Sequence, residues 1–349
     1  RWWRQASQKF RHRPSSRLIE AVDFAAATLS VQLYGETSME HARHLNCLAQ
    51  NLEGQRRYED AAVMHARVLK ILHEIGAGDT SEAAWVLCNM GICLDFQKRH
   101  VEAEASLRDS LKIRQAKLDP KHTYVAQSLT ALGMNQSHQK NFVDAERLIR
   151  EALAIEGAET ALGATMMNNL GDCLSAQEPR LAEAEAAFVK AFNVRKKLFG
   201  EDEYSVGQSH ASLGFVLDRR KRYAEAIPHL ERARAIVQAA YGLEHRETAA
   251  RIRALGRTLH NDQQYAKAET AHREALAIRE RVLGPGHADT AESCFMLGRS
   301  LHRGGKLNEA IIYLKRSLEI REAAHGPDDA SAKLSARSLG EAYIDMSKS

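Results

Sequence analysis

The Leu255-Gly256 pair returns as Leu297-Gly298 and again as Leu339-Gly340, each time 42 residues further on. Between these pairs, apolar residues keep helical spacing. Ile252, Leu255 and Leu259 share one face of a first predicted helix, and Ala268, Ala275 and Ile278 share one face of a second. A glycine inside a helix costs about 1 kcal/mol relative to alanine, so packing must favour Gly256. Without a β-carbon there, the second helix approaches closely, and Ala268 is the small residue expected at the crossing. Neither helix buries its apolar stripe alone, so such units must stack.

The pattern extends over most of the chain. Second-helix alanines stand at Ala61, Ala103, Ala145, Ala184, Ala226, Ala268 and Ala310, spaced 42 residues apart except for 39 between Ala145 and Ala184. An aliphatic residue follows each one ten positions later, from Ile71 to Ile320. The small residue of the first helix is Ala49, then Gly91, Gly133, Gly171, Gly214, Gly256 and Gly298, with Gly340 marking an eighth first helix. The fourth unit has a shortened turn before it, from Glu156 to Gly163, and an extra residue near Pro179. Gln136 replaces the leucine found at Leu94, Leu217, Leu259 and Leu301, and should weaken packing in the third unit.

This Gly/Ala pairing resembles the tetratricopeptide repeat, and the long turn resembles its 42-residue, kinesin-light-chain-like form, in which G-x-x-H often opens a unit. That signature stands here as Gly242 to His245 and Gly284 to His287, with Asp119 to His122 as a variant. The resemblance implies an all-α, right-handed superhelix (an α-α solenoid) of seven helix pairs with a flanking helix at each end. The expected division is a basic arm over 1–16, an N-terminal capping helix over 17–35, seven units over 36–327 and a C-terminal capping helix over 328–349.

Charge is nearly balanced, with 49 basic and 45 acidic residues. The excess is local: Arg1, Arg4, Lys9, Arg11, Arg13 and Arg17 precede any acid, leaving 43 basic against 45 acidic residues elsewhere. A general nucleic-acid surface is therefore not supported. The arm reads in three ways: a remnant of a mitochondrial-type targeting segment, a basic tail touching a partner, or a solvated lead-in with Trp2 and Trp3 packed on the first helix. The chain has no initiating Met, which suggests a processed form or a fragment. Five cysteines without a C-x-x-C pair suggest reduced thiols and an intracellular, cytoplasmic setting, with a mitochondrion or other organelle as the alternative. No run reaches the roughly 18 apolar residues of a membrane span.

No P-loop, H-E-x-x-H, G-x-S-x-G or Gly-rich dinucleotide loop occurs, so no catalytic residue and no cofactor is assigned. His41 and His44 have helical i, i+3 spacing but no further ligands nearby in sequence, so no metal site is assigned either. His122, His245 and His287 belong to the repeat turn and are expected to cap helices.

The remaining stripe of each first helix is expected to line the inside of the superhelix and bind a protein or peptide. Its candidates are Asn46, Trp85, Asn89, Asn168 and Asn169 in the first half, and Arg253, Arg257, Phe295 and Arg299 in the second. Asn168-Asn169 keeps the Asn-Asn pair often carried by kinesin-light-chain-like repeats, and such amides bond a peptide backbone whatever its side chains. The three arginines lack acids at matching positions and suit a carboxylate-bearing segment, with Phe295 and Met296 as an apolar floor; Glu292 is the residue that would instead satisfy Arg299 internally. The expected role is a scaffold or adaptor without catalysis of its own. The alternative is a structural or assembly subunit of a larger complex; its oligomeric state is not encoded in any motif.

Overall fold

The computed structural model describes residues 16–348, and side chains from residue 19. The basic arm lies almost entirely outside the described residues, as do Trp2 and Trp3. Among the described residues there are sixteen α-helices, one short 3-10 turn and no strand. The helices are α1 (Ser16–Tyr34), α2 (Met39–Gly54), α3 (Tyr58–Glu74), α4 (Ser81–Phe96), α5 (His100–Lys117), α6 (Thr123–His138), α7 (Phe142–Glu156) and α8 (Ala161–Ser175). They continue as α9 (Leu181–Phe199), α10 (Tyr204–Arg219), α11 (Tyr223–Tyr241), α12 (Arg246–Asn261), α13 (Tyr265–Leu283), α14 (Ala288–Arg303), α15 (Leu307–His325) and α16 (Ala330–Lys348). The helices fall into two compact units, residues 1–194 and 195–349.

Within each unit, consecutive helices pack on one another as first and second members of a hairpin. The expected small residues sit at the crossings: Ala61, Ala103, Ala145, Ala184, Ala226, Ala268 and Ala310 are all 0% exposed. The close approach is specific to the glycine. A β-carbon added at Gly91, Gly133, Gly171, Gly214, Gly256 or Gly298 would lie 2.5–2.8 Å from the side chain four residues beyond the alanine. That neighbour is Leu107, Ile149, Phe188, Leu230, His272 or Leu314, so the large residue covering each glycine varies while the spacing does not. Gly340 has nothing within 4 Å.

The turns follow from local chemistry. First helices open on a side-chain cap: Ser38, Thr80 and Thr160 accept from the backbone N–H three residues on. His122, His245 and His287 cap through Nδ1, accepting from the N–H two residues on at 3.0–3.2 Å, as their place in the repeat turn predicted. First helices end on a left-handed residue: Arg56, Lys98, Lys140, Lys221, Gln263 or Gly305, with φ between 59° and 79°. The next N–H then returns to a carbonyl in the last turn, for example Arg99 N to Leu94 O at 3.0 Å, closing the helix and starting the next. In the fourth unit the 3-10 turn Glu178–Arg180 replaces this arrangement, and Arg180 bridges Glu146 and Glu183. Gln136 is buried, and its amide oxygen accepts from Asn141 Nδ2 at 3.0 Å.

Candidate functional site

In the first unit the predicted amides do not form an open row. Asn46, Asn89 and Asn169 are half-buried. Asn168 donates to Asp172, one turn on in the same helix, at 3.1 Å. The Oδ1 atoms of Asn46 and Asn168 are buried and therefore turned away from solvent. Trp85 packs against the core formed by Ala42, Leu45, Val68 and Ile71, so its ring is half spent on packing.

In the second unit the predicted arginines separate into paired and unpaired groups. Arg257 on α12 turns to Asp218 on α10 at 3.4 Å and lies over the Phe215 ring. Arg253 faces Glu292 at 3.9 Å, and Glu292 also binds Arg321. Acids thus do meet two of the three predicted guanidiniums, contrary to the expectation that none would. Glu292 satisfies Arg253 and Arg321 rather than Arg299. Phe295 and Met296 are also corrected, because they are 3% and 6% exposed and pack with Leu314 and Ala342. The cause is α16, whose Ala342 closes over them. Phe295 instead packs against two cations, with Arg321 4.8 Å and Arg299 5.7 Å from its ring centre.

Beside this stack lies a cleft of about 220 Å³, lined by Phe295, Arg299, His302, Arg303, Leu334, Arg337, Ser338 and Glu341. Arg337 engages Glu341 at 3.1 Å, and His302 engages Asp345 at 2.9 Å. Among the described residues neither Arg299 nor Arg303 has an ion-pair partner. Their charge is felt nearby. His260 is bonded to Ser300, and burial, with Arg299 and Arg303 adding to it, lowers its pKa to about 4. A pocket lined by two guanidiniums without ion-pair partners, one of them over an aromatic ring, is suited to a carboxylate.

Sequence reasoning missed a second set of arginines. Arg114, Arg195, Arg279 and Arg321 are each 2–6% exposed. Each donates through one NH group to the carbonyl ten residues on and to the serine hydroxyl fourteen residues on: Ser128, Ser209, Ser293 and Ser335. The clip ties the second helix of one repeat to the first helix of the next. Burial pulls the guanidinium pKa of Arg114 and Arg279 down, yet both keep oxygen partners. The signal was present as an arginine eleven residues after the repeat alanine with a serine fourteen further on.

Two clusters of metal-ligating side chains were also missed. Asp95, His100 and His138 converge, as do Glu53, His65 and Cys93. Each draws on three helices, so sequence proximity did not announce it. The pair that sequence did single out behaves differently: His41 is buried, its Nδ1 bonded to Ser30 at 2.9 Å, and burial lowers its pKa. None of the five cysteines forms a disulfide.

The sequence matches the tetratricopeptide repeat family over residues 40–116, 82–155, 163–239, 206–262 and 248–323. No curated protein matches the chain. Among solved structures, it is similar to BtubC (BKLC) from P. vanneervenii, at 20% identity and a TM-score of 0.57, covering 66% of this chain and 92% of that one. It is also similar to a kinesin-light-chain-type protein of nearly identical TPR-like repeats from Podosopora anserina, at 20% identity and a TM-score of 0.53, covering 58% and 98%. A Rap protein complexed with competence and sporulation factor matches at 15% identity and a TM-score of 0.56, covering 88% and 87%. The family match, the Gly/Ala crossings and the likeness to a kinesin-light-chain-type fold agree. The chain belongs to the tetratricopeptide repeat family, in its 42-residue, kinesin-light-chain-like form.

Proposed function

We propose that this protein is a non-catalytic interaction scaffold that receives an acidic segment of a protein partner at the Arg299–Arg303 cleft. The observation that carries this reading is the pair of unpaired guanidiniums, held beside a buried aromatic ring in a pocket large enough for a side chain. Charge-assisted bonds to a carboxylate are stronger than neutral ones, and the arginine fork fits that group. Arg337 stands on the rim and exchanges Glu341 for a ligand carboxylate. Arg253 and Arg257 are paired with Glu292 and Asp218 and do not line this cleft. In the first unit, Asn46, Trp85, Asn89, Asn168 and Asn169 supply secondary contacts at most. The Rap neighbour complexed with competence and sporulation factor supports a ligand-binding use of the fold. Reduced thiols favour an intracellular setting, and no helix of the described residues is long and apolar enough to cross a membrane.

Peptides selected on the wild-type chain from a random display library should carry a carboxylate-rich consensus. The doubly reversed variant Arg299→Glu/Arg303→Glu should bind the selected peptide at least about tenfold more weakly, with an unchanged melting temperature. Fluorescence anisotropy reads the affinity. A basic or purely apolar consensus, or full affinity in the double variant, would place the contact elsewhere.

The subunit reading is favoured by one observation. Along α1, Val22, Leu29 and Leu33 are 53%, 53% and 63% exposed at helical spacing, an apolar stripe of the kind that a neighbouring protein covers.

A further inference from the structure

We propose that Asp95, His100 and His138 form a binding site for a divalent transition-metal ion, with zinc the best match. Asp95 stands in the last turn of α4, His100 is the first residue of α5, and His138 is the last residue of α6. The left-handed turn at Lys98 folds α5 back so that His100 Nδ1 lies 2.7 Å from Asp95 Oδ1. The next first helix brings His138 Nδ1 to 2.6 Å from Oδ2 of the same carboxylate. All three ligand atoms lie within 4.8 Å of one another.

The donor set points to the class of ion. Two imidazoles and one carboxylate suit zinc, cobalt or nickel, whereas calcium and magnesium take oxygen ligands. Three protein ligands with one open side form the usual arrangement of a zinc site that keeps a water. Here the open side exists, because the histidine side chains are 29% and 43% exposed while that of Asp95 is 10% exposed. An outer layer is also in place. Asn135 Nδ2 donates to Asp95 Oδ1 at 2.7 Å and to the His100 carbonyl at 3.0 Å, which fixes the carboxylate and the start of α5 together. Asp172 on α8 adds negative charge next to His138.

Without metal, each imidazole N–H donates to one carboxylate oxygen, and the three side chains hold one another. A bound ion replaces those two ring protons and sits between the same atoms. Metal–ligand distances of about 2.0–2.2 Å at tetrahedral angles put neighbouring donors at least about 3.3 Å apart, so each imidazole–carboxylate contact opens by roughly 0.6 Å or more, a shift for which the half-exposed rings leave room. The other cluster is the weaker candidate. His65 and Cys93 are both 0% exposed, and the thiol is held protonated by burial and by Glu53 beside it. A thiolate ligand there would have to form against both effects.

The test is titration of the chelator-treated full chain, with Zn²⁺ by calorimetry and with Co²⁺ by visible absorption. The expected result is one equivalent bound in the micromolar range or tighter, with a rise in melting temperature. His138→Ala, on the exposed side, should weaken binding by about tenfold or more and abolish the thermal shift, and Asn135→Ala should weaken it by about 10–100-fold. His100→Ala provides a second ligand variant should either of these fold poorly. Cys93→Ser should bind as wild type. Absence of stoichiometric binding would overturn the site. So would a thiolate-to-cobalt charge-transfer band lost in Cys93→Ser, together with normal binding in His138→Ala.

Discussion

Truncating Phe188 to alanine is expected to destabilise the protein by about 3–5 kcal/mol. The ring is fully buried and lies flat against the missing side chain of Gly171. A β-carbon added there would meet the ring at 2.6–2.9 Å. Removing the ring therefore opens a cavity at a helix crossing whose backbones are held apart by the rest of the unit. The reverse change, Gly171→Ala, should overpack the same contact and cost about 1–3 kcal/mol. Because the two residues touch, their effects should not add. Combining Gly171→Ala with Phe188→Leu should cost less than the sum of the single variants. Urea unfolding followed by circular dichroism measures Phe188→Ala, Gly171→Ala, Phe188→Leu and the double variant. A loss below about 1 kcal/mol for Phe188→Ala, or strict additivity, would show that the crossing is not closely packed.

His272→Leu should stabilise the protein, and more strongly in mild acid than at neutrality. His272 covers Gly256 in the place held by Leu107, Leu230 and Leu314 in other units. It is 0% exposed, and neither ring nitrogen reaches a full hydrogen bond. Burial lowers its pKa to about 3; the positive charges of His260, Arg253 and Arg279 push the same way, and the Gly256 backbone opposes them weakly. The folded value lies below the free-imidazole value of about 6.5, so the unfolded chain takes up the proton first as pH falls. The stability due to neutral His272 is therefore complete above about pH 6.5 and is lost on acidification, at up to about 1.4 kcal/mol per pH unit. Leucine removes that slope. The stability gap between variant and wild type should widen by about 2 kcal/mol between pH 7 and pH 5. His260 titrates in the same window and stays in both proteins. A gap that is constant with pH would mean that His272 takes up its proton as readily in the fold as in the unfolded chain.

Much of the fold was legible because it rests on size and spacing. Ala103, Gly91 and their equivalents are small where two backbones meet, and a periodic small residue is visible in one dimension. The capping histidines were legible for a related reason, since a cap acts on backbone two or three residues away. The residue covering each glycine was harder to name. It is defined by position, four after the alanine, while its type runs from leucine through phenylalanine to histidine. The site was less legible still. Arg279 and Arg321 were not singled out because their oxygen partners lie ten to fourteen residues on, across a turn. Phe295 read as groove lining because Ala342 of α16, which covers it, is 47 positions away. Arg299 kept its uncommitted charge, as expected, because the one acid that offered an alternative, Glu292, binds Arg253 and Arg321 instead.

The five non-glycine turns have a consequence for engineering. Arg56, Lys98, Lys140, Lys221 and Gln263 hold a left-handed backbone that costs an ordinary residue roughly 1–2 kcal/mol, and only Gly305 occupies that position without the penalty. All five side chains are exposed at loop tips. The chain thus carries a thermostability reserve that has not been drawn on. Glycine grafted at these tips, one turn at a time, offers a graded series of more robust variants while leaving the arginine cleft, the buried clips and the helix crossings untouched.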